Sequence, residues 1–458
     1  MIGSVLIANR GEIAMRVART CRELGLRTVA VYSTADRDSA VVRFADEAVH
    51  IGPPPVKQSY LNVPAIIEAA RLTGVDAIHP GYGFLSEDPD FAEVCEAEGF
   101  VFVGPRASVI AALGDKARAR RMMAEAGLPV LPGSENAVDS TDARDLAHAI
   151  GFPVILKACA GGGGRGLSVI RNAAGFTQAY RDARATAAAV FGDGRVYLER
   201  YVDNARHIEV QVLADQSGSV VHFPERDCSV QRRHQKLIEE TPAPTLPDGL
   251  PALMAQAAVD GARGTGYTGL GTLEFLVDED SRFYFMEINC RIQVEHPVTE
   301  MITGIDFVAE QLSIAAGAPL RVRQEDVRAS GVAIECRLNA EDPRLNFAPA
   351  PGTLTTFTPP GGGFVRVDTH ACAGYVVPRE YDSLLAKVVT WGADRDQALA
   401  RMNRALTEFH VGGNGVRTTK EFLLEVLSHP AYRSGEHTTA LIPEILRQSN
   451  RPPVMTGA

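Results

Sequence analysis

The chain has 458 residues, of which 45% are hydrophobic and 22% charged, and its 46 Lys and Arg against 56 Asp and Glu give a formal net charge of -10. This length predicts about two to four domains, and the composition excludes disordered and collagen-like proteins. The acidic balance disfavours a nucleic-acid binder, which needs positive charge against phosphates. No apolar run approaches the ~20 residues of a membrane helix, and the start lacks the layout of a signal peptide, so we expect a cytoplasmic protein without a membrane partner.

Seven cysteines are scattered along the chain and include no C-x-x-C pair. Neither a disulfide framework nor a cysteine zinc site is therefore predicted. Most of these cysteines are expected to be small buried hydrophobic residues.

The first 113 residues alternate strand-like and helix-like segments. Residues 5–9 form a short apolar run, residues 11–25 carry apolar residues at helical spacing, and residues 27–33 are strand-like again. Repetition of this βαβ pattern predicts a small parallel α/β domain over 1–113. The turn at 9–11 lacks G-x-G-x-x-G, so we expect no dinucleotide site there.

Three further segments complete the expected organisation. Residues 114–203 contain a glycine-rich loop, and residues 204–330 are strand-rich, with one hairpin and a helix near 304–316. Residues 331–446 mix strands with a helix, and the Pro- and Gly-rich breaks there are typical of turns between strands. Residues 447–458 are expected to form a tail, of which the last part, 451–458, is frayed.

The glycine-rich loop lies between two β-rich runs, 154–158 and 167–170. Its glycines at 161–164 allow the backbone to fold closely over phosphates and to point N–H groups at them. The Walker pattern is absent, so this strand, loop and strand predict a flap over a nucleotide, with a hairpin turn of no function as the alternative. Lys116 and Lys157 could supply positive charge to the phosphates, although single lysines are more often solvated.

The strongest signal is a predicted hairpin with a carboxylate on each strand. Two strand-like runs flank the polar turn 278–281, and a turn centred between 280 and 281 places Glu274 and Glu287 opposite each other. Facing carboxylates repel, and a bound divalent cation would remove the conflict. Oxygen ligands are those that Mg²⁺ prefers when it also bridges nucleotide phosphates.

Beyond Glu287 the odd positions are polar and the even positions apolar as far as Glu295. An extended backbone would therefore line up five polar groups on one face: Glu287, Asn289, Arg291, Gln293 and Glu295. An amphipathic edge strand with a solvated face is the plain alternative. The shared face with the carboxylate pair favours a metal site that continues into an oxyanion site.

A basic cluster lies in the segment ERDCSVQRRHQKLIEE, where Arg232, Arg233, His234 and Lys236 stand close together in an acidic protein. A solvated turn would account for it. So would the local positive charge that a polyphosphate or a small anion requires.

Taken together, these motifs resemble one family. The segments IANRGEIAMR, HPGYGFLSE, LKACAGGGGRGL, ERDCSVQRRHQKLIEE, EINCRIQVEHPVTE and IECRLNAEDP look like those of the biotin carboxylases, the ATP-grasp subunits of biotin-dependent carboxylases of the acetyl-CoA carboxylase type. The resemblance implies an α/β and α+β chain with an ATP-grasp fold. It would comprise a Rossmann-like N-terminal domain (1–113), a mobile lid with the flap (114–203), a central part with the metal and bicarbonate site (204–330) and a mixed β/α C-terminal body (331–446).

The resemblance also implies roles for individual residues. ATP would be bound by Lys116, Lys157, Gly163, Gly164, Glu199, Arg200, Tyr201, Val202, His207, Gln231, His234, Glu274, Leu276 and Glu287. Mg²⁺ or Mn²⁺ would be held by Glu274, Glu287 and Asn289. Bicarbonate would be bound by Lys236, Arg291, Gln293, Val294 and Glu295, and biotin by Tyr82 and Arg337. The catalytic residues would be Lys236, Arg291, Arg337 and Glu295, the last as general base.

The implied reaction is the ATP- and bicarbonate-dependent carboxylation of biotin on a carrier protein, through carboxyphosphate, as the first step toward malonyl-CoA and fatty acids. Another ATP-grasp ligase, similar to carbamoyl-phosphate synthetase, is the alternative, and it would not need Tyr82 and Arg337. No Met-Lys-Met biotinylation segment occurs, and no transferase-sized region follows residue 446. The biotin carrier and the carboxyltransferase are thus expected on separate chains, and the resemblance implies a homodimer. The final acceptor stays open between acetyl-CoA, propionyl-CoA, pyruvate and another molecule.

Overall fold

The N-terminal part of the protein is a parallel sheet covered by helices. The computed structural model describes residues 2–161 and 166–449. In chain order this part contains β1 (Ser4–Ile7), α1 (Gly11–Glu23), β2 (Arg27–Ser33), α2 (Ala40–Phe44), β3 (Glu47–Gly52), α3 (Val63–Thr73), β4 (Ala77–His79), α4 (Pro89–Ala97), β5 (Val101–Phe102) and α5 (Ala107–Gly114). All five strands are parallel, in the order β3-β2-β1-β4-β5. The predicted parallel α/β arrangement is confirmed.

Apolar periodicity explains why these segments take these forms. Strand β1 is buried at every position, as expected of a central parallel strand with helices on both faces. Helix α1 buries Ile13, Val17 and Cys21, which lie four residues apart on one face. Helix α3 begins at the cap Asn62, whose side chain accepts a hydrogen bond from the backbone N–H of Ala65. Local signals and packing agree in this part of the chain.

A small antiparallel sheet carries the glycine-rich loop. The next elements are α6 (Lys116–Glu125), α7 (Ser140–Ile150), β6 (Val154–Ala158), β7 (Leu167–Ile170), α8 (Phe176–Phe191) and β8 (Val196–Arg200). Strand β6 lies between β7 and β8, and the two predicted strands on either side of the glycine-rich loop are confirmed. We call α7, α8 and β6 to β8 the lid.

The glycine loop is described only at its two ends. Gly161 has a φ of +88°, and a Cβ there would lie 2.1 Å from the ring of Phe191, so any side chain at this position would strain the backbone and displace the ring. The predicted phosphate contacts Gly163 and Gly164 lie outside the described residues.

One nine-stranded sheet forms the body of the protein. Its elements and those packed on it are β9 (Arg206–Ala214), β10 (Val220–His222), β11 (Arg226–Arg232), β12 (Gln235–Thr241), α9 (Leu250–Gly264), β13 (Gly269–Val277), β14 (Phe283–Asn289), α10 (His296–Thr303), α11 (Phe307–Ala315), β15 (Val332–Asn339), β16 (Glu341–Asp342), β17 (Ala348–Pro349), β18 (Gly352–Thr358), β19 (Val365–Thr369), β20 (Val376–Val377), β21 (Leu384–Gly392), α12 (Arg395–Glu408), β22 (His410–Asn414), α13 (Lys420–Ser428), α14 (Pro430–Ser434) and α15 (Leu441–Ser449). The main order is β14-β13-β9-β11-β12-β15-β21-β19, with β10 on β9. Short sheets pair β16 with β17 and β18 with β20 and β22.

The body joins segments that the sequence suggests are separate. Strands β12 and β15 pair across the expected boundary at residue 330, so the central and C-terminal parts share one sheet. Helix α6, within the segment expected to form the lid, packs against β14 and α9 of the body. No helix in the described part of the chain has the length and apolarity needed to cross a membrane.

Candidate active site

A pair of facing glutamates lies on the hairpin of β13 and β14. Glu274 and Glu287 are register partners, which confirms the predicted pair. The register of the hairpin differs from the prediction. Val277 pairs with Phe283, so the turn is centred on residue 280 and not between 280 and 281. A bulge then adds one residue, Met286, and brings Glu287 opposite Glu274. Without this bulge the alternation of the strand would turn Glu287 to the other face of the sheet.

The chain leaves the strand at Asn289 instead of continuing extended, so the predicted single polar face is wrong. Residues 290–295 form an irregular loop into α10, which we call the catalytic loop. Its polar groups still converge, since Asn289 Nδ2 and Gln293 Nε2 both donate to Glu274 Oε1, at 2.9 and 3.1 Å. Arg291 donates to Asn289 Oδ1 at 2.8 Å and to Gln293 Oε1 at 3.1 Å. The predicted residues are thus brought together by a loop and not by a strand.

Lys236, from β12, lies at the centre of three carboxylates. Its Nζ donates to Glu209 Oε2 at 2.6 Å, to Glu274 Oε1 at 2.9 Å and to Glu295 Oε1 at 2.6 Å. Burial opposes the charge on this ammonium group, but the neighbouring carboxylates hold the pKa of Lys236 well above its ordinary value. Lys236 is therefore a fixed positive charge at neutral pH.

Glu295 is fully buried, at 0% exposure, and each of its oxygens is bound by a different cation. Lys236 donates to Oε1, and Arg337 Nη2 donates to Oε2 at 2.8 Å. Burial alone would raise the pKa of Glu295, but Lys236, Arg337 and Arg226 lower it below its ordinary value. Glu295 is thus a carboxylate at neutral pH, the state that a proton acceptor needs. Arg337 also pairs with Glu239 Oε1, at 2.5 Å.

Two lysines predicted to meet phosphates are paired with glutamates. The ammonium group of Lys116 pairs with Glu287, and Lys157 Nζ lies 2.6 Å from Glu199 Oε2. Arg120 Nε lies 3.0 Å from the other carboxylate oxygen of Glu199. These pairs place positive charge on both the body and the lid.

The remaining predicted nucleotide contacts lie around the end of β9. His207 Nε2 lies 2.9 Å from Glu274 Oε2, and its Nδ1 lies 2.8 Å from Gln231 Nε2. Leu276 is the register partner of His207. His234 lies at the exposed turn between β11 and β12, with a φ of 65°. The residues at the end of β8 are exposed or partly exposed: Arg200, Tyr201 and Val202.

Tyr82 approaches the site from the N-terminal part. Its hydroxyl donates to Glu12 Oε1, at the start of α1. Burial, with the help of Glu12, raises the pKa of Tyr82 well above its ordinary value, and the nearby charge of Arg337 acts in the opposite direction. The two residues predicted to meet biotin therefore approach each other from different parts of the fold.

Protein-family models cover most of the chain. Residues 1–110 match the N-terminal domain of biotin carboxylase, residues 115–323 the ATP-binding domain of the carbamoyl-phosphate synthase L chain, and residues 335–444 the C-terminal domain of biotin carboxylase. Biotin carboxylase 1 of Bacillus subtilis (strain 168) is 52% identical over 444 residues, which are 96% of this chain and 98% of that protein. The biotin carboxylase of Pseudomonas aeruginosa is 52% identical over 95% of this chain and 96% of its own length. The chain belongs to the biotin carboxylase family.

Solved structures of the family agree with the fold. The Campylobacter jejuni biotin carboxylase in complex with β,γ-ATP is 45% identical, with a TM-score of 0.94 over 97% of this chain and 99% of that one. The biotin carboxylase domain dimer of Hydrogenobacter thermophilus 2-oxoglutarate carboxylase, with MgADP, ADP and bicarbonate, is 45% identical, with a TM-score of 0.95 over 99% of each chain. The ATP-grasp fold is confirmed, and the chain is an ATP-dependent ligase that carboxylates biotin.

The donor set at the hairpin fits the Mg²⁺ of a biotin carboxylase. Glu274 and Glu287 face each other, and Asn289 lies beside them, with its Nδ2 donating to Glu274 and its amide oxygen accepting from Arg291. The Asn289 oxygen would be the third ligand. These are hard oxygen ligands of the kind that Mg²⁺ takes together with phosphates. In the structure the carboxylates are balanced by Lys116 and Lys236.

Two other clusters bring three possible ligand atoms within 4.8 Å of one another: His207, Glu209 and Glu274, and Glu209, Cys228 and Glu295. The Lys236 ammonium group lies within 2.9 Å of a carboxylate oxygen of Glu209, Glu274 and Glu295, and so is already the cation of both clusters. A second cation there would meet this charge at close range.

Four charged residues of the site were missed by sequence reasoning: Glu87, Glu209, Arg226 and Glu239. Arg226 is fully buried and its Nε lies 2.5 Å from Glu209 Oε1, while Glu87 accepts from Arg291 Nε at 2.8 Å. The signal for Glu209 was present, since polar residues at 207, 209 and 211 alternate with apolar ones. Glu87 carries no comparable signal, because its partner lies 204 positions further along the chain.

Proposed function

We propose that the cluster around Glu295 transfers the carboxyl group of bicarbonate to the ureido nitrogen of carrier-bound biotin. One observation carries the proposal: Lys236 binds one oxygen of Glu295 at 2.6 Å and Arg337 binds the other at 2.8 Å. The base thus lies between the ammonium group assigned to bicarbonate and the guanidinium group assigned to biotin. This suits a group that removes a proton from one substrate beside the other.

ATP is assigned to the space between the lid and the body. The phosphates would be bound by Lys116, Lys157, Gly163, Gly164 and His234. The base and the ribose would be bound by Glu199, Arg200, Tyr201, Val202, His207, Gln231 and Leu276. Glu274, Glu287 and Asn289 would hold Mg²⁺ or Mn²⁺, which when bound offsets phosphate charge.

Bicarbonate is assigned to Lys236, Arg291, Gln293 and the backbone of Val294. Glu295 removes its proton, and an oxygen of the resulting carbonate attacks the γ-phosphorus of ATP while the bond to ADP breaks. The products are carboxyphosphate and ADP. Lys116 and Lys157 offset the charge on the transferred group as preorganised cations.

Carboxyphosphate then separates into CO₂ and phosphate. The phosphate takes the N–H proton of biotin, and the ureido nitrogen attacks the carbon of CO₂. Arg337 stabilises the enolate oxygen of biotin, and Arg291 stabilises the phosphate. Tyr82 lies beside the biotin ring. Closure of the lid keeps water from the intermediate.

The proposed assembly has the biotin carrier and the carboxyltransferase on separate chains and a homodimer of this chain. The related domain of 2-oxoglutarate carboxylase is described as a dimer, which supports the homodimer. Rhizobium etli pyruvate carboxylase is a longer protein, of which the part similar to this chain makes up 41%. We further propose a cytoplasmic location and a role in malonyl-CoA and fatty-acid synthesis for this chain, whose relatives in Bacillus subtilis and Pseudomonas aeruginosa are named biotin carboxylases.

We also propose that the chain is divided functionally at the boundaries 1–113, 114–203, 204–330 and 331–446, with a tail at 447–458. The gaps between the three family models, at 110–115 and 323–335, support the first and the third of these boundaries, while one model spans residue 203. In this scheme the lid moves, whereas α6, at the start of the segment 114–203, stays with the body on which it packs.

The reaction is tested by measuring ADP release and the incorporation of labelled bicarbonate into biotin. We expect ADP release to require bicarbonate and to increase when free biotin is added. ADP release that requires bicarbonate but ignores biotin would overturn the proposal and favour a ligase similar to carbamoyl-phosphate synthetase.

The role of Glu295 is tested by Glu295→Gln, which keeps the size of the side chain but cannot accept the proton. We expect ATP to bind within about twofold of the wild type and carboxylation to fall by about 10²- to 10⁴-fold. Glu279→Gln, in the exposed turn of the hairpin, is the control and should leave both unchanged. Full activity of Glu295→Gln would remove Glu295 as the base.

A further inference from the structure

Lys387, on β21, is completely buried, at 0% exposure. A lysine is rarely found in the interior of a protein, because an ammonium group without partners pays a large desolvation penalty there. The mechanism above assigns Lys387 no contact with any substrate. Its position therefore calls for an explanation in terms of its partners.

The Lys387 ammonium group joins three parts of the fold. Its Nζ donates to the backbone oxygen of Val294, in the catalytic loop, at 2.8 Å. It also lies 3.1 Å from Glu12 Oε1, at the start of α1, and 3.9 Å from Asp368 Oδ2, on β19. Glu12 Oε1 in turn accepts the hydrogen bond from the hydroxyl of Tyr82. One ammonium group thus connects the loop assigned to bicarbonate with the tyrosine assigned to biotin.

The register of the sheet makes this arrangement specific. Arg337 and Lys387 are direct partners across β15 and β21, so two cations stand side by side at the edge of the site. Like charges in this position repel, and each therefore needs its own acceptors. Arg337 binds the side chain of Glu295, and Lys387 binds the carbonyl of Val294, the residue before it. Two adjacent strands thus hold two consecutive residues of the catalytic loop.

We propose that Lys387 is a positioning residue that holds the Val294 carbonyl and, through Glu12, the Tyr82 hydroxyl, and so fixes the bicarbonate and biotin subsites relative to each other. This inference rests on the assignments of Val294 and Tyr82 under the proposed function. If the ion pair of Lys387 only stabilised the contact between the domains, its loss would lower the stability of the protein but would not change the positions of the two subsites. The two roles differ in their kinetic consequences.

The test is Lys387→Met in the full chain, with KM measured separately for bicarbonate, biotin and ATP. Methionine keeps the apolar length of the side chain and removes the charge and the donors. We expect KM for bicarbonate and for biotin each to rise at least about tenfold and KM for ATP to stay within about twofold. ADP release without biotin isolates the Val294 contact, and its KM for bicarbonate should rise to the same extent.

Lys420→Met is the matched control. Lys420 also donates to a backbone carbonyl in the C-terminal part, that of Phe409 at 3.4 Å, and no substrate contact is assigned to it. All three KM values should be unchanged. Glu12→Gln is the second variant, because a glutamine oxygen still accepts from Tyr82 while the negative charge beside Lys387 is lost. The ion pair that ties Tyr82 to Lys387 through Glu12 is then weakened while the Val294 contact remains, so KM for biotin should rise more than KM for bicarbonate. This variant keeps the proposal testable if Lys387→Met does not fold.

Two results would overturn the inference. One is a folded Lys387→Met with both KM values within twofold of the wild type, and the other is an equal rise of all three KM values together with a lower Tm. Tyr82→Phe separates this outcome from a failure of the site assignments. If Tyr82→Phe leaves KM for biotin unchanged, the assignment of Tyr82 is wrong and the inference falls with it. If Tyr82→Phe raises KM for biotin and Lys387→Met does not, only the inference is wrong.

Discussion

Glu239 and Glu335 are register partners on β12 and β15, and both are completely buried, at 0% exposure. Burial raises the pKa of Glu239 to about 7, and burial raises that of Glu335 well above its ordinary value. Arg337 pairs with Glu239, and the charge of Lys387 acts on Glu335 in the opposite direction to burial. At the scale of single residues, the carboxyl group of Glu335, close to Arg337, therefore stays protonated to a higher pH in the folded protein than in the unfolded chain.

Glu335→Gln should show this proton in the pH dependence of stability. In the unfolded chain the carboxyl loses its proton near its ordinary pKa of 4.5, whereas the folded protein keeps it to higher pH. Folding therefore binds a proton in this window, and the stability of the wild type falls as the pH rises from about 4.5 toward the folded pKa. Glutamine has no such proton, so the Tm of the variant relative to the wild type should increase between pH 5 and pH 8. A difference in Tm that stays constant over this range contradicts the assignment, and the exposed Glu279→Gln is the control.

At the scale of single elements, β9 shows how one strand presents several functional groups. Its inner face carries His207, Glu209 and Gln211, and all three are buried. Glu209 pairs with Arg226 at 2.5 Å and with Lys236 at 2.6 Å. The strand thus holds two cations that act on Glu295, although neither belongs to β9: Lys236 binds Glu295 Oε1, and the charge of Arg226 helps to lower the pKa of Glu295.

Glu209→Gln should destabilise the body, because it leaves Arg226 and Lys236 buried with less negative charge beside them. Removing one partner of a buried ion pair costs about 3–5 kcal/mol. We expect a clear fall in Tm in differential scanning calorimetry, together with lower carboxylation. Glu47→Gln breaks the exposed pair of Glu47 with Arg27 and should cost about 1 kcal/mol or less. Equal effects of the two changes would contradict this view of β9.

The hairpin of β13 and β14 shows where element-level prediction stops. The pairing of Glu274 with Glu287 was predicted from a turn centred between residues 280 and 281. In the structure the turn is centred on residue 280, and a bulge at Met286 brings the two glutamates opposite each other. Both routes give the same pair. The two errors cancel, because an inserted residue shifts the register by as much as the wrong turn centre did.

At the scale of the whole molecule, the N-terminal part is joined to the C-terminal part by a buried charge. Arg10 Nε lies 2.7 Å from Asp36 Oδ2, and its Nη2 donates to the hydroxyl of Tyr375 at 3.1 Å. The guanidinium group also lies 4.3 Å from the ring centre of Tyr381. Tyr381 in turn donates to Ser33 Oγ at 2.6 Å. Tyr82 and Glu12 belong to the same N-terminal part, so we expect its attachment to affect the part of the site that is proposed to bind biotin.

Arg10→Met should loosen this attachment. It leaves Asp36 buried without its main cation, at a cost of about 3–5 kcal/mol. We expect a lower Tm and, since the contact joins two parts, an early transition of the N-terminal part in calorimetry. KM for biotin should rise more than KM for ATP. Arg71→Met, which breaks an exposed pair with Glu98, is the control; if it lowers the Tm as much, the buried pair has no special role.

The sequence by itself determined the local structure and the chemical types of the site residues. Periodicity placed β2 at its observed bounds, 27–33, and the parallel βαβ units followed from it, because apolar spacing reflects which faces are buried. The alternation of polar and apolar residues in strands, together with the position of the turn, selected Glu274, Glu287 and the polar residues up to Glu295 as site residues. The family resemblance rested on short motifs, each of which is continuous in the chain.

Only the tertiary structure decided which residues meet. The catalytic loop bends where an extended strand was expected, because its backbone is held by Lys387 and its side chains by Glu87, Glu274 and Arg337, all of which are distant in sequence. The sharing of one sheet by the central and C-terminal parts depends on the pairing of β12 with β15. Such contacts cannot be predicted from the periodicity of the sequence, because each depends on how whole helices and strands pack together. The acidic charge of the chain does not exclude cations from its site, because composition sums over the chain, whereas folding gathers Lys116, Lys236, Arg291 and Arg337 at one place. Each of these cations is paired there with a carboxylate.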